Sequence, residues 1–266
     1  VSSQISAITS SAVSNMTTAQ MASLAANQVQ AMTTGQLSVL GSAQINNLTV
    51  TSVAALKTQQ VTALNTTSLV GVQSSTLQSL VTGQYKALTT TQLVSLTTAQ
   101  IQAIEAADIG SLSTQQLNAL TTAQSSALTT LQIQALSTKQ VFGLSTQWIQ
   151  AMTTGQLVAM TQDQVKSLRT QQIDALQSQQ LQAIETRDLV GWSAQQIASL
   201  STTQAALLST LQVAALTTAQ IAAVQSQDLA AMSTAQVRAL TVTQLAKLST
   251  AQMAAMTTAQ LQALTS

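Results

Sequence analysis

Large apolar residues recur every eight positions along the whole chain. All 33 positions divisible by eight are large and apolar, from Ile8 and Met16 to Trp192 and Leu264, with no insertion or deletion. If this residue is numbered position eight of an octad, a second apolar site falls at position five. Position four is Gln in 25 of the 33 octads, and positions one and two are mostly Ser or Thr. A period this strict predicts a repeat array in which each unit packs on its neighbours.

The spacing of the apolar sites argues against two simple folds. In a β-strand, positions five and eight would point to opposite faces, because side chains alternate along a strand. In one long α-helix, an octad turns about 800°, so the apolar stripe would drift by about 80° in every octad. Frequent Ala, Gln and Leu favour helix over strand. A β-solenoid of short arcs stays open as the alternative to a helical array.

Each octad carries its own helix-start signal. Ser or Thr at position one, followed by Gln at position four, is a capping box, as in Thr97 to Gln100. The apolar residues on either side, such as Leu96 and Ile101, have the spacing of a hydrophobic staple. An isolated helix this short is unstable, so it must be held by its neighbours. The sequence therefore predicts an all-α solenoid with one short capped helix per octad, in a single continuous array over residues 1–266.

A 40-residue period is superimposed on the octad. The Gln of position four is replaced at sites that lie multiples of 40 apart, namely Ser68, Asp108, Trp148, Asp188 and Asp228. Segment 105–112 also matches segment 185–192. We predict that five octads form one superunit, and that one coil contains either five octads or two and a half.

Other residues repeat at an offset of 80. Ser125 and Ala205 are small residues at position five, and Leu131 and Leu211 occupy position three, which is otherwise small or polar. These pairs indicate a weaker period of ten octads. Lys86 and Lys166 show the same offset.

Composition excludes several classes of function. Charged residues are 6% of the chain, the net charge is +1, and His and Cys are absent. No basic stripe suits nucleic acid or an anionic membrane, and no apolar run reaches the roughly 18 residues of a membrane span. We expect positions three and six to face outward, and they hold seven of the 15 charged residues: Lys86, Lys139, Asp163, Lys166, Asp174, Arg187 and Arg238.

The acidic residues are the first candidates for chemistry. Asp108, Asp188 and Asp228 would suit calcium if stacked coils brought them together, but Asp near a helix start is also stabilised by the helix dipole. Glu105 and Glu185 pair with two of these Asp residues, yet acid–base catalysis would require a cleft. We therefore predict no catalytic, cofactor or metal site, and no enzyme.

The four aromatic residues are the second candidates. Trp192 and Tyr85 lie at core positions, so packing is expected for both. Trp148 replaces a Gln and Phe142 lies at an outward position, so either could mark a partner contact if exposed. Rows of Thr and Ser could bind ice or carry O-linked sugars, although their role as caps is sufficient to explain them.

The segment LSTAQMAAMTTAQLQALTS, Leu248–Ser266, resembles octapeptide repeats of very large bacterial secreted or surface proteins, which carry labels such as adhesin or haem-utilisation protein. The resemblance covers the whole chain and implies an extracellular, extended or filamentous part. The haem label gains no support, since the chain has no His.

Two functions follow as hypotheses. The first is a structural rod or filament subunit, outside the cell or at its surface, that self-associates by end-to-end stacking. The second is an adhesin stalk or scaffold that presents a ligand surface. Thr265 and Ser266 begin another octad, so we expect the chain to be part of a longer array.

Overall fold

A computed structural model describes residues 2–264, and the expectation for Thr265 and Ser266 lies outside the described residues. Within them the chain is entirely helical, without strands, and contains 33 helices of four to six residues, one for each octad. The all-α prediction is confirmed, and the β-solenoid is wrong for the described residues. The chain divides into two compact units, residues 1–136 and 137–266. That it forms a single continuous array stays a prediction.

The first unit holds helices α1 to α17. Their bounds are Ser2–Ala7, Ser10–Ser14, Thr18–Ala22, Ala26–Ala31, Thr34–Leu37, Ser42–Asn46, Val50–Ala54, Thr58–Thr62, Thr66–Val70, Ser74–Leu77, Thr82–Ala87, Thr90–Ser95, Thr98–Ala103, Ala106–Ser111, Thr114–Ala119, Thr122–Ala127 and Thr130–Gln134.

The second unit holds helices α18 to α33. Their bounds are Thr138–Gly143, Thr146–Ala151, Thr154–Ala159, Gln162–Lys166, Thr170–Asp174, Ser178–Ala183, Thr186–Leu189, Ala194–Ala198, Thr202–Leu207, Thr210–Ala215, Thr218–Ala223, Ser226–Ala231, Thr234–Arg238, Val242–Leu245, Thr250–Ala255 and Thr258–Ala263.

The helices begin at the predicted caps. In α13, the backbone N–H of Gln100 donates to Thr97 Oγ1 at 3.2 Å, and the N–H of Thr97 donates to Gln100 Oε1 at 2.7 Å. Where position one carries no hydroxyl, as at Lys57 or Arg169, only the Gln half of this capping box forms. The cap residue is extended, which turns the chain sharply between one helix and the next.

The core contains the two apolar positions of the octad. Residues at positions five and eight are buried along most of the chain, among them Ile101 and Ile104 in one octad. All seven charged residues predicted to face outward are exposed. Burial of these two apolar residues per octad supplies the stability that a one-turn helix lacks by itself.

Each helix packs on the helix three octads away. Within both units the helix pairs with the most extensive contacts are separated by three octads, such as α11 with α14 and α26 with α29. Hydrogen bonds from position four reach the octad four units earlier. A coil therefore contains between three and four octads. The five-octad coil is wrong, because the dominant contacts join helices three octads apart. The two-and-a-half-octad coil is too small, because hydrogen bonds also join octads four units apart.

Small residues at position seven allow close approach between helices. A Cβ on Gly71 would lie 2.7 Å from Ser42 Oγ, and one on Gly191 would lie 2.5 Å from Lys166 Cε. Both contacts join an octad to the octad three units before it.

Candidate functional site

The most regular polar feature of the structure is the glutamine at position four. Gln100 is buried, and its Oε1 accepts the N–H of Thr97 at 2.7 Å. Its Nε2 donates to the carbonyls of Leu69 at 2.8 Å and Val72 at 2.6 Å, 31 and 28 residues earlier. One side chain thus caps its own helix and donates to two carbonyls at the end of another helix, of which that of Leu69 also accepts the N–H of Val72 at 3.1 Å.

This arrangement repeats through both units, and we call it the glutamine ladder. Its members donate to the carbonyls 31 and 28 residues earlier and are Gln36, Gln44, Gln60, Gln84, Gln92, Gln100, Gln116, Gln124, Gln132, Gln172, Gln180, Gln204, Gln212, Gln220, Gln236, Gln244, Gln252 and Gln260. Sequence reasoning found the cap and missed the donor role. The signal was present, because a capping box accepts Glu as well as Gln, yet no octad has Glu at position four. Only the amide can donate.

Two of the three aspartates that replace ladder glutamines have a dedicated hydrogen-bond donor. Asp108 Oδ1 accepts the hydroxyl of Thr82 at 2.7 Å, and Asp228 Oδ1 accepts that of Thr202 at 2.7 Å. Both carboxyl groups are buried in the first turn of their helices. Each Thr lies 26 residues before its Asp, on the helix three octads earlier.

Asp188 lacks such a donor. Residue 162, which corresponds to Thr82, is Gln, and its amide donates to the carbonyl of Arg187 at 2.9 Å. Asp188 Oδ1 is buried without a hydrogen bond, and Arg187 Nε lies 3.6 Å away. Burial raises the pKa of the Asp188 carboxyl, while the nearby Arg187 charge lowers it in part. Arg187 Nε also pairs with Glu185 at 2.8 Å.

Two aromatic side chains also donate to carbonyls that lie 31 residues before a position four. The Tyr85 hydroxyl donates at 2.7 Å to the carbonyl of Leu77, which a Gln at position 108 would have reached. The indole of Trp192 donates to the carbonyl of Val165 at 3.2 Å. Burial, together with the charges of Asp108 and Glu105, raises the pKa of Tyr85 above its ordinary value.

Of the two aromatic residues that could have marked a partner contact, one is buried and the other is exposed. Trp148 is buried, with 3% of its surface exposed, and its indole N–H has no hydrogen-bond partner within residues 2–264. Phe142 is 54% exposed. Tyr85 and Trp192 are buried in the core, as predicted.

Two open grooves occupy matching places, 80 residues apart. The first has a volume of about 480 Å³ and is lined by Lys86, Thr89, Ser111 and Gln115 among others. The second has a volume of about 500 Å³, and its lining includes Phe142, Lys166, Arg169, Thr170, Gln171 and Gln195. We call them the Lys86 groove and the Lys166 groove. Arg169 lies over the Phe142 ring, with its guanidinium carbon 5.4 Å from the ring centre.

The carboxyl groups do not form a metal-binding cluster within the described residues. No group of three or more His, Cys, Asp or Glu side chains that could hold a metal ion occurs in residues 2–264. In the same part of the chain, no helix combines the length and the apolar character needed to cross a bilayer.

Comparison with known families gives one match. The model of the ALTTAQ repeat matches residues 101–138, 181–218, 221–258 and 237–266, so these stretches are similar to that repeat. The first three matched stretches begin 80 and 40 residues apart, in agreement with the 40-residue period of the sequence. No curated protein matches the chain.

Proposed function

We propose that the chain is a structural repeat protein, a subunit of a rod or filament outside the cell or at its surface, which self-associates by stacking coil on coil. The glutamine ladder carries this proposal. Each ladder glutamine links its octad to the octad four units earlier through two hydrogen bonds, so the same bonds can be extended by any added coil.

The first coil presents open donors for such an extension. Gln20 and Gln28 accept the N–H of their own cap residues through Oε1. Their Nε2 groups donate to no carbonyl in the described part of the chain, which includes no octad four units before theirs. A preceding octad of a longer chain or the final octads of a second copy would both supply the acceptors.

The last coil presents an exposed apolar surface. Position five is fully buried at Leu229, but Met253 and Leu261 at the same position are 38% and 40% exposed. The neutral surface of the chain, with a net charge of +1, also favours association over repulsion. We therefore choose a second copy as the group that covers this coil.

Sedimentation velocity over a wide concentration range tests the proposal. We expect the chain to form growing species, and the double variant Met253→Lys/Leu261→Lys to stay monomeric, because lysine opposes burial of that face. Leu211→Lys is the matched control, since Leu211 is 74% exposed away from the last coil. A monomer at every concentration, or equal disruption by the control, would contradict stacking.

The location outside the cell rests on the resemblance to secreted and surface repeats. Protease treatment of intact source cells tests it, and we expect the chain to be cleaved while a cytoplasmic marker survives. Survival of the chain under those conditions would contradict a surface location. The proposal includes no catalytic role.

A second function, a module that presents a ligand surface, is favoured by one observation. The aromatic ring of Phe142 is exposed beside the guanidinium of Arg169, at the edge of an open groove.

A further inference from the structure

The Lys166 groove differs from the Lys86 groove at three points. Phe142, Arg169 and Gly191 stand where the chain has Thr62, Thr89 and Ser111 at positions 80 residues earlier. The lysine itself is common to both. Arg169 departs from the Ser or Thr that is usual at position one, Phe142 is an aromatic residue at an outward position, and all three residues lie at or beside one groove. Local departures that converge on one place are typical of a functional site.

Arg169 weakens its own helix. It occupies the cap of α22, where a hydroxyl would accept a backbone N–H, and no side-chain cap bond forms there. Its Nε is buried without a hydrogen bond. Thr89, at the equivalent cap of α12, makes the usual bond from the Gln92 N–H at 3.1 Å. An arginine at this position therefore lacks the hydroxyl half of the cap, and this loss points to a role outside folding.

The guanidinium is nevertheless held in a fixed place. Arg169 Nη2 donates to the carbonyl of Leu144 at 2.9 Å, and the group lies 5.4 Å from the centre of the Phe142 ring. A cation placed over an aromatic face is attracted by the ring. The remaining N–H groups of this ordered fork suit a carboxylate, which a guanidinium binds with defined geometry.

A second cation lies along the same groove. The carbon chain of Lys166 passes so close to Gly191 that any side chain there would collide with it. Asp188, whose charge interacts with Lys166, is buried and has Arg187 as its nearest cation, at 3.6 Å. The exposed side of the groove is therefore cationic, with an apolar ring at its edge.

We propose that the Lys166 groove binds an acidic sugar residue, a pyranose that carries a carboxylate. The carboxylate pairs with Arg169 and Lys166, and a C–H face of the sugar packs on the exposed part of Phe142. Thr170, Gln171 and Gln195 line the same groove and offer hydroxyl and amide groups to the sugar hydroxyls.

The lining favours a sugar over an acidic peptide. The groove is open and shallow, and apart from Phe142 and Leu168 its lining is polar or charged. A peptide that adds as a strand requires an unpaired sheet edge, and residues 2–264 contain no strand. The hydroxyl groups around a pyranose ring match a surface of Thr, Ser and Gln side chains better than an extended peptide does. This inference goes beyond the proposed structural role.

Isothermal titration calorimetry with a trimer of galacturonic acid tests the proposal on the full chain at low salt. We expect saturable binding that is at least tenfold tighter than that of a neutral galactose trimer. Arg169→Thr should weaken binding at least tenfold while the helix regains its cap, so loss of fold cannot explain the effect. Phe142→Thr should weaken it about threefold.

Lys86→Gln is the control, because it removes the cation of the matching groove, and we expect unchanged affinity. Absence of binding to the acid trimer would overturn the proposal. Equal binding of the neutral trimer, or an unchanged affinity in Arg169→Thr, would overturn it as well. Equal affinity for hexaglutamate would show that the groove takes acidic peptides and would overturn the assignment to a sugar.

Discussion

Two related regions of the chain meet the same local problem in different ways. Residues 82–116, the Asp108 region, and residues 162–196, the Asp188 region, are 80 residues apart and both replace a ladder glutamine with a buried aspartate. In the first, the hydroxyl of Thr82 donates to the carboxylate at 2.7 Å. In the second, Gln162 donates to the carbonyl of Arg187 instead of to the carboxylate. The nearest donor to the Asp188 carboxylate is then Arg187 Nε, at 3.6 Å.

The difference shows that a repeat position is only as stable as its partners three and four octads away. An amide at position four brings an acceptor and two donors. An aspartate brings only acceptors, so its neighbours must supply a donor and cover the carbonyls that the amide would have reached. The Asp108 region does both through Thr82 and Tyr85, whereas the Asp188 region does so less completely.

The largest effect is expected from removal of an intact ladder glutamine in each region. Gln92→Leu leaves the N–H of Thr89 and the buried carbonyl of Leu64 unpaired, and it removes one donor to the carbonyl of Val61, so we expect a loss of about 4 kcal/mol. Gln172→Leu should cost less, about 3 kcal/mol, because Arg169 still donates to the carbonyl of Leu144. Urea unfolding followed by circular dichroism measures both. Equal losses would show that the arginine bond contributes nothing.

A smaller loss is expected from Tyr85→Phe in the Asp108 region. The change removes one of two donors to the buried carbonyl of Leu77, which keeps the N–H of Leu80 at 2.9 Å, so we expect a loss of about 1 kcal/mol. Asp188→Asn serves as the matched change in the other region, where no tyrosine takes part. An unchanged stability of Tyr85→Phe would mean that water replaces the hydroxyl.

The ionisation of Tyr85 gives a direct spectroscopic check. Its pKa is raised, so the folded state keeps the phenol neutral while the unfolded state ionises near pH 10. The stability from this group is complete below that pH and is lost as the pH rises further. Because the chain has one tyrosine, phenolate absorbance should appear only with unfolding. Phenolate at pH 10 in folded protein would contradict burial of the hydroxyl.

The next prediction concerns a substitution that makes the Asp188 region like the Asp108 region. Gln162→Thr places a hydroxyl where Thr82 donates in the related region, and we expect a gain of about 1 kcal/mol at neutral pH. Thr82→Val is the reciprocal change and should cost about as much. Trp fluorescence reports on unfolding of the second unit, which holds both tryptophans.

The same variant should change the response to acid. Burial raises the pKa of Asp188, so its contribution to stability is complete below the unfolded value of about 4 and is lost as the pH rises through the folded value. A hydroxyl donor to the carboxylate should lower that pKa and weaken the dependence. Unfolding curves of the chain and of Gln162→Thr between pH 3 and 7 compare the two. Parallel curves would contradict the assigned cause.

The smallest effect is expected from Arg169→Thr. Recovery of a cap hydroxyl should stabilise the second unit by about 0.5 kcal/mol, after allowance for the lost bond to Leu144. Thr89→Arg in the Asp108 region should have the opposite sign. A clear loss of stability in Arg169→Thr would show that arginine serves the fold rather than a ligand.

The sequence predicted those features that depend on one octad. The cap at Thr97, the core residues Ile101 and Ile104, and the outward charges all follow from spacing within eight residues, and the structure confirms them. The number of octads per coil was wrong, because it depends on the packing of one short helix against the helix three octads away. The 40-residue period is therefore distinct from the coil.

The features that sequence reasoning missed all join distant positions. The unpaired carboxylate of Asp188 depends on residue 162, and the contact of Arg169 with Phe142 joins residues that lie in different helices of one unit. The second role of the ladder glutamines also required knowledge of which carbonyls lie nearby. Only the absence of Glu at position four indicated that the amide donates.

The number of octads per coil is the central claim, and it can be measured by distances between paired spin labels. The chain has no Cys, so labels can be placed at the outward residues Gln59, Gly83 and Ala99 of the first unit. Because α8 packs on α11, the pair at 59 and 83, three octads apart, should give a clearly shorter distance than the pair at 59 and 99, five octads apart. A shorter distance for the five-octad pair would contradict the coil described here.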